Sequence, residues 1–131
     1  MKDFTLALLL LCCLALMVLG CDKGKEKSIT QFEIINESCN LKNPIKFINE
    51  SMGSIQYSDR AKAYCIFTSI EGTYDSVNVG VICNLPESYK KDGIKVLYSG
   101  NYFKYDVNFT LFPGETFYHL ELSKIRLVEN L

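Results

Sequence analysis

One histidine, six cysteines and a scatter of carboxylates are the side chains of this sequence that could act as nucleophiles, bases or metal ligands. His119 stands in Phe117-Tyr118-His119-Leu120-Glu121, an apolar, strand-like setting. Zinc sites draw on several Cys and His at short spacing; there is no second His here and no Cys-x-x-Cys pair. A covalent Cys–His mechanism needs a thiol beside the imidazole and a third group to orient it, and no local signature marks such a set. The carboxylates occur without a context that would make one an acid and its neighbour a base. Gly93 and Gly100 fall at a turn and a strand end, not in a phosphate-cradling loop that opens a helix. The sequence therefore predicts no catalytic residues, no cofactor and no metal ligands, and a non-enzymatic protein.

The thiol with the most informative surroundings is Cys21. Lys2 is followed by a segment from Phe4 to Leu19 that is apolar apart from Thr5. Val18-Leu19-Gly20-Cys21 then puts a small residue directly before the thiol, and the polar run Asp22-Lys23-Gly24-Lys25-Glu26-Lys27 follows. A charged start, an apolar middle and a small-residue cleavage site make a secretory signal. The pattern resembles the lipobox of bacterial lipoproteins, in which the cysteine becomes the mature N-terminus and carries acyl chains such as palmitate. That resemblance implies lipidation of Cys21 and a place in the bacterial cell envelope, lipid-anchored to a membrane. Two alternatives are a plain secretory signal cleaved elsewhere and a retained span, although a transmembrane helix needs about 20 apolar residues. Several acyl chains hold a protein to a membrane where one binds only marginally. The expected organisation is a signal peptide over 1–20, the lipidated Cys and a flexible tether over 21–30, and a single domain over 31–131. Residues 22–30, DKGKEKSIT, would reach about 30 Å at about 3.3 Å per residue.

Composition narrows the rest. Lys and Arg number 14 against 15 Asp and Glu, which leaves no basic excess for nucleic acid. Beyond the signal the chain is rich in Tyr, Phe, Ile and Val and holds enough apolar material for one core. Three cysteines remain after processing, Cys39, Cys65 and Cys83. An oxidising compartment favours one disulfide among them. Spacing does not decide the pair; Cys65, in the apolar run Ala63-Tyr64-Cys65-Ile66-Phe67, is expected in the core, which favours Cys39 with Cys83.

The elements that must position these groups are mostly strands. Asn43-Pro44 offers a cap followed by proline at a first helical position. Ile45, Ile48 and Met52 follow at helical spacing before Gly53, which predicts a short helix over 44–52. From there the period is two. Ile55 and Tyr57 alternate with polar residues, Ala63 to Ile70 is β-rich, and Val77, Val79, Val81 and Cys83 alternate again. After a polar connection over 86–93, Ile94, Val96 and Tyr98 alternate, then Phe103 to Phe112 and Phe117 to Val128 read as strands. Five or six short strands with regular turns predict a small barrel or sandwich.

Cys83-Asn84-Leu85-Pro86, Lys91-Asp92-Gly93-Ile94-Lys95-Val96 and Ser99-Gly100, with Cys39, Pro44 and Gly53-Ser54-Ile55 upstream, resemble a pattern in small exported lipoproteins of Bacteroidota. The resemblance covers roughly residues 39–128 and implies a mainly β fold: an OB-like β-barrel of five or six strands with one short helix. Asp75-Ser76-Val77 resembles the O-glycosylation acceptor of envelope proteins in that group, which makes Ser76 a candidate modification site. Asn36, Asn49 and Asn108 head N-glycosylation triplets that in a bacterial protein carry little meaning.

Aromatic residues crowd the last third. Strand alternation lets only about half of them face one core, so Tyr98, Tyr102, Phe103 and Tyr105 are candidates for an exposed binding surface; the alternative is that both faces are covered, one by the barrel interior and the other by the helix. The expected role is a binding or assembly module for an envelope protein or a glycan, without nucleic acid. The alternative is an inhibitor or immunity protein that plugs a secreted enzyme with a loop at 71–76 or 86–93. Metabolic labelling with palmitate is expected to mark the parent chain and to be lost in Cys21→Ala; labelling that persists in the variant would contradict the lipoprotein reading.

Overall fold

A computed structural model describes residues 31–129; the expected signal peptide over 1–20, Cys21 and the expected tether to residue 30 lie outside the described residues. Six strands follow in order: β1 (Glu33–Ile34), β2 (Lys46–Ser58), β3 (Ala63–Ser69), β4 (Val77–Ile82), β5 (Lys95–Lys104) and β6 (Glu115–Leu127). They form one sheet in the order β1-β6-β4-β3-β2-β5, and β5 returns to pair with β6, so β2 to β6 close into a barrel. Every pairing is antiparallel except β4 with β6. Counted from β2, the barrel runs first, second, third, fifth, fourth and back to the first strand. This is a small barrel, one of the two forms that the strand pattern predicts, in the OB-like arrangement that the resemblance implies, with β1 as an added strand on β6.

The period-two pattern explains the interior. Ile55, Ile66, Val96, Tyr98, Tyr102, Leu120, Leu122 and Ile125 point inward and form one buried cluster. Two bulges keep it in phase. Opposite Ser99, β2 carries both Asn49 and Glu50 between the paired Ile48 and Ser51, and Glu50 has a φ of 46°. On β6 the extra residue Ser123 falls between Leu122 and Lys124. Each bulge flips the alternation, so Ile48 and Ile55 both face the core across an odd step. The Tyr98 and Tyr102 hydroxyls, both fully buried, share a 2.7 Å hydrogen bond, and Tyr98 Oη also lies 2.7 Å from Thr68 Oγ1. Burial pushes both phenols above their ordinary pKa, so they remain neutral partners of one another.

The helix expected over 44–52 does not form. Those residues belong to the approach to β2 and its first half, and Asn43 has a φ of 62°, whereas a helix N-cap takes a β-region conformation. A single 3₁₀ turn over Glu87–Tyr89 is the helical element that the structure holds between β4 and β5, and it buries Tyr89 against the core. The strand expected over Phe103–Phe112 is also cut short: β5 stops at Lys104, and residues 105–114 form a loop.

One seam of the barrel needs special closure. β4 leaves β6 after Ile82 pairs with Leu120, while β6 runs on to Leu127. Along that exposed edge the Asn84 carboxamide stands in for a strand: Oδ1 accepts from the Leu122 N–H at 2.8 Å, and Nδ2 donates to the Leu122 carbonyl at 2.9 Å and to the Glu37 carbonyl at 2.8 Å. Ile35 then donates to the Ser123 carbonyl, and β1 pairs with Ile125 and Lys124. A disulfide between Cys39 and Cys83, with Cα atoms 6.0 Å apart, ties this N-terminal segment to the end of β4. Asn84→Ala leaves a buried N–H and two carbonyls without partners. It is expected to lower unfolding stability by about 3 kcal/mol, read as a lower guanidinium midpoint at unchanged slope; a loss below about 1 kcal/mol would contradict the role assigned to this amide.

Candidate binding groove

β2 and β3 pair from Ser58–Ala63 only as far as Ser54–Phe67 and then part. β2 stays on β5, with Met52 opposite Leu97, while β3 stays on β4, with Ser69 opposite Val77. Gly53 sits where the strands separate: a Cβ there would collide with the Ile66 side chain, so β2 can turn away only without one. The parting opens a groove of about 660 Å³. Met52, Phe67 and Leu97 give it an apolar lining; Glu50, Glu71 and Lys95 bring charge, and Ser and Thr hydroxyls fill the rest. Met52 is 56% exposed. Behind the groove, the hydrogen bond between Thr68 and Tyr98 closes the way to the barrel interior. Lys124 bonds the Glu50 carboxylate at 2.6 Å and holds that carboxyl below its ordinary pKa.

The outer face of β3 and β4 is treated differently. In OB barrels the second and third strands, flanked by the loops after the first and fourth, form the usual ligand face; here these are β3 and β4, with loops 59–62 and 105–114. Cys65, Val79, Val81 and Phe117 on that face are buried under Tyr105, Phe109 and Ala61 from those loops. Phe109 meets Phe117 edge-on at 5.0 Å, and Tyr105 packs on His119 at 4.6 Å. Arg60 fastens the cover. It makes two bonds to the Glu115 carboxylate at 2.7 and 2.9 Å and donates to the Thr110 carbonyl. Its guanidinium also lies 4.4 Å from the Phe112 ring centroid. The Arg60 hydrogen bond holds the Glu115 carboxyl below its usual range, and Glu115 in turn raises Arg60. The usual OB ligand face is therefore filled by the chain's own loops, and the open concavity lies elsewhere.

The residues singled out from the sequence fall in several places. Tyr98, Tyr102 and Phe103 are buried and Tyr105 is half-buried, so they form no exposed aromatic surface. The two tyrosines point into the barrel, while Tyr105 belongs to the loop cover. Neither covering is a helix. His119 is half-buried on the outer face between Tyr105 and the strands, and no hydrogen bond joins it to a thiol or carboxylate among the described residues. Cys65 is fully buried, and desolvation pushes its thiol up to about 12, which suppresses the nucleophilic thiolate. The Cys39 and Cys83 sulfurs and a Glu121 carboxylate oxygen converge. The sulfurs are bonded to each other and Glu121 accepts the Cys39 N–H at 2.7 Å, so this group serves the seam. Ser76 is half-buried at the end of the β3–β4 connection, close to Gly114.

Sequence reasoning missed the groove. The helical spacing takes in Met52, and no local signal shows that β2 and β3 part at Ser54–Phe67. The only trace is Gly53, a glycine next to a β-rich run, which marks a bend or close approach.

No protein-family model matches the chain, and no curated protein matches its sequence.

The Arg60–Glu115 pair gives a pH signature. A carboxylate whose pKa is lowered by folding adds stability above its unfolded pKa, and that contribution is lost as pH falls through the folded value. The unfolding midpoint is therefore expected to fall as the solution is acidified below about pH 4, and more steeply in the parent than in Glu115→Gln. Equal slopes would show that the pair does not fasten the loop in solution.

Proposed function

We propose that this chain is a lipid-anchored bacterial envelope protein, akin to the small exported lipoproteins of Bacteroidota, whose OB-like domain is a non-enzymatic binding or assembly module. The carrying observation is the contrast between two surfaces. The face on which OB barrels usually take ligands is packed with the chain's own loops, whereas the groove between β2 and β3 is open, with Met52 and Leu97 beside charged and hydroxyl groups. Most residues lining the groove are polar, and Met52, Phe67 and Leu97 form a short apolar strip among hydroxyl and charged groups that can fix a ligand's orientation. The lipobox-like segment around Cys21 supports the envelope location.

A second reading is an inhibitor or immunity protein. It draws on Tyr74, which stands wholly exposed in the β3–β4 connection, as a residue presented to an enzyme cleft would. The 86–93 connection suits that role less, because Asp92 accepts the Tyr57 N–H and Gly93 donates to the Ile55 carbonyl, pinning the segment to β2.

Cross-linking in intact cells followed by purification separates the two. Leu97→Asp puts a charge in the groove at a half-exposed position, and Tyr74→Ala removes the exposed ring. The binding-module reading expects the cross-linked species to vanish in Leu97→Asp and to persist in Tyr74→Ala. The reverse pattern would overturn it in favour of the inhibitor.

A further inference from the structure

The groove is also a break in backbone pairing, and this defines what fits it. Ile55 donates its N–H to the Ile94 carbonyl at 2.9 Å, on the β5 side of β2. Alternation along the strand sends the backbone groups of Gly53 to the same side and those of Met52 to the opposite side, toward β3. On β3, Ile70 donates to the Ser76 carbonyl at 3.0 Å, on the β4 side. The same alternation turns the backbone groups of Ser69 toward β2. Met52 and Ser69 would be the next hydrogen-bonded pair after Ser54–Phe67, and that pair is absent from the ladder. Two backbone edges thus face each other across the groove, and no partner pairs with them there among the described residues.

Resting on the reading of this groove as the binding site, we infer that its ligand is an extended polypeptide segment of a partner protein, taken up by strand addition between Met52 of β2 and Ser69 of β3. Main-chain hydrogen bonds supply affinity in this mode, and alternate side chains supply specificity. An incoming strand would turn every second side chain onto Met52, Phe67 and Leu97. Lys95 and Glu71, neither ion-paired among the described residues, flank it with opposite charges. A glycan matches these edges less well. Carbohydrate sites rely on exposed ring faces, and Phe67, the one aromatic residue among the groove's lining, is half-buried. The bulge at Asn49–Glu50 limits the free edge to a few residues, which suits a short inserted segment and works against edge-to-edge pairing of two copies.

The test uses the full-length chain in detergent and a library of random 12-residue peptides displayed on phage. Selected peptides are resynthesised with N-methyl groups at alternate backbone amides, which removes N–H donors and leaves side chains unchanged. Insertion between the two edges expects methylation of either set to weaken binding at least about tenfold, because alternate amides face β2 and β3 in turn; sensitivity confined to one set would contradict insertion between both edges. Insertion also expects Met52→Pro to abolish binding and Met52→Leu to retain it, because proline removes an N–H that the β2–β5 ladder does not use. Peptides that bind, are lost in Leu97→Asp, yet tolerate methylation at both sets would overturn strand addition while upholding the groove as the site. Failure to select any peptide would also overturn it. In that case, binding of the parent but not Leu97→Asp to an array of bacterial envelope oligosaccharides upholds the groove, and its absence overturns both readings.

Discussion

Where β4 ends at Ile82, β6 continues to Leu127, and the backbone groups along its abandoned edge must find partners or stand in water. The Asn84 side chain meets that demand with one amide that both donates to and accepts from Leu122, as a strand residue would. Its second donated bond reaches the Glu37 carbonyl and so brings the N-terminal segment onto the same edge. The disulfide from Cys39 to Cys83, next to Asn84 in the chain, then fixes that segment covalently. The closed loop spans 44 residues of sequence, and in the chain-entropy account such a loop restricts the unfolded state by about 4 kcal/mol. Barrel closure, the seating of β1 and the point at which the chain enters the domain all follow from this one seam.

The opposite seam is left open. β2 belongs to β3 in its second half and only to β5 in its first, because a barrel of five strands forces its first strand to coil sharply. Gly53 permits the turn, and the bulge at Glu50 restores the inward direction of Ile48 beyond it. The same coil that completes the barrel therefore produces the groove. The outer faces of β3 and β4 also carry apolar side chains, Cys65 and the valines at 79 and 81, which need a cover of their own. The 105–114 loop supplies it with Tyr105 and Phe109, and Arg60 holds the loop through Glu115. With that face occupied, the groove is the concave surface that the proposed binding role draws on.

Much of the fold was legible because its strands repeat every two residues: Val77, Val79 and Val81, or Val96 and Tyr98, announce themselves. The second half of β2, with Ile55 and Tyr57, was legible too; its first half was not, because the bulge breaks the period. Ile45, Ile48 and Met52 then fall at three- and four-residue steps that imitate a helix, behind an Asn43-Pro44 that imitates a cap. The loop after β5 was misread for a related reason: its aromatic residues are there to cover a face, and β propensity does not separate that purpose from strand formation. The crowded aromatics do divide between two faces, as alternation requires, but a loop rather than a helix covers the second. The groove depends on where two distant strands separate, which no local pattern records.

The account stands on one seam being sealed and the other open, and amide hydrogen exchange resolved by residue measures both at once. The sealed seam predicts that the Leu122 N–H, held by Asn84, exchanges only with global unfolding. The open seam predicts that the N–H groups of Met52 and Ser69 exchange at nearly the rate of an unstructured chain, while those of Gly53 and Ser54 beside them stay protected. Strong protection at Met52 and Ser69, or rapid exchange at Leu122, would contradict the account.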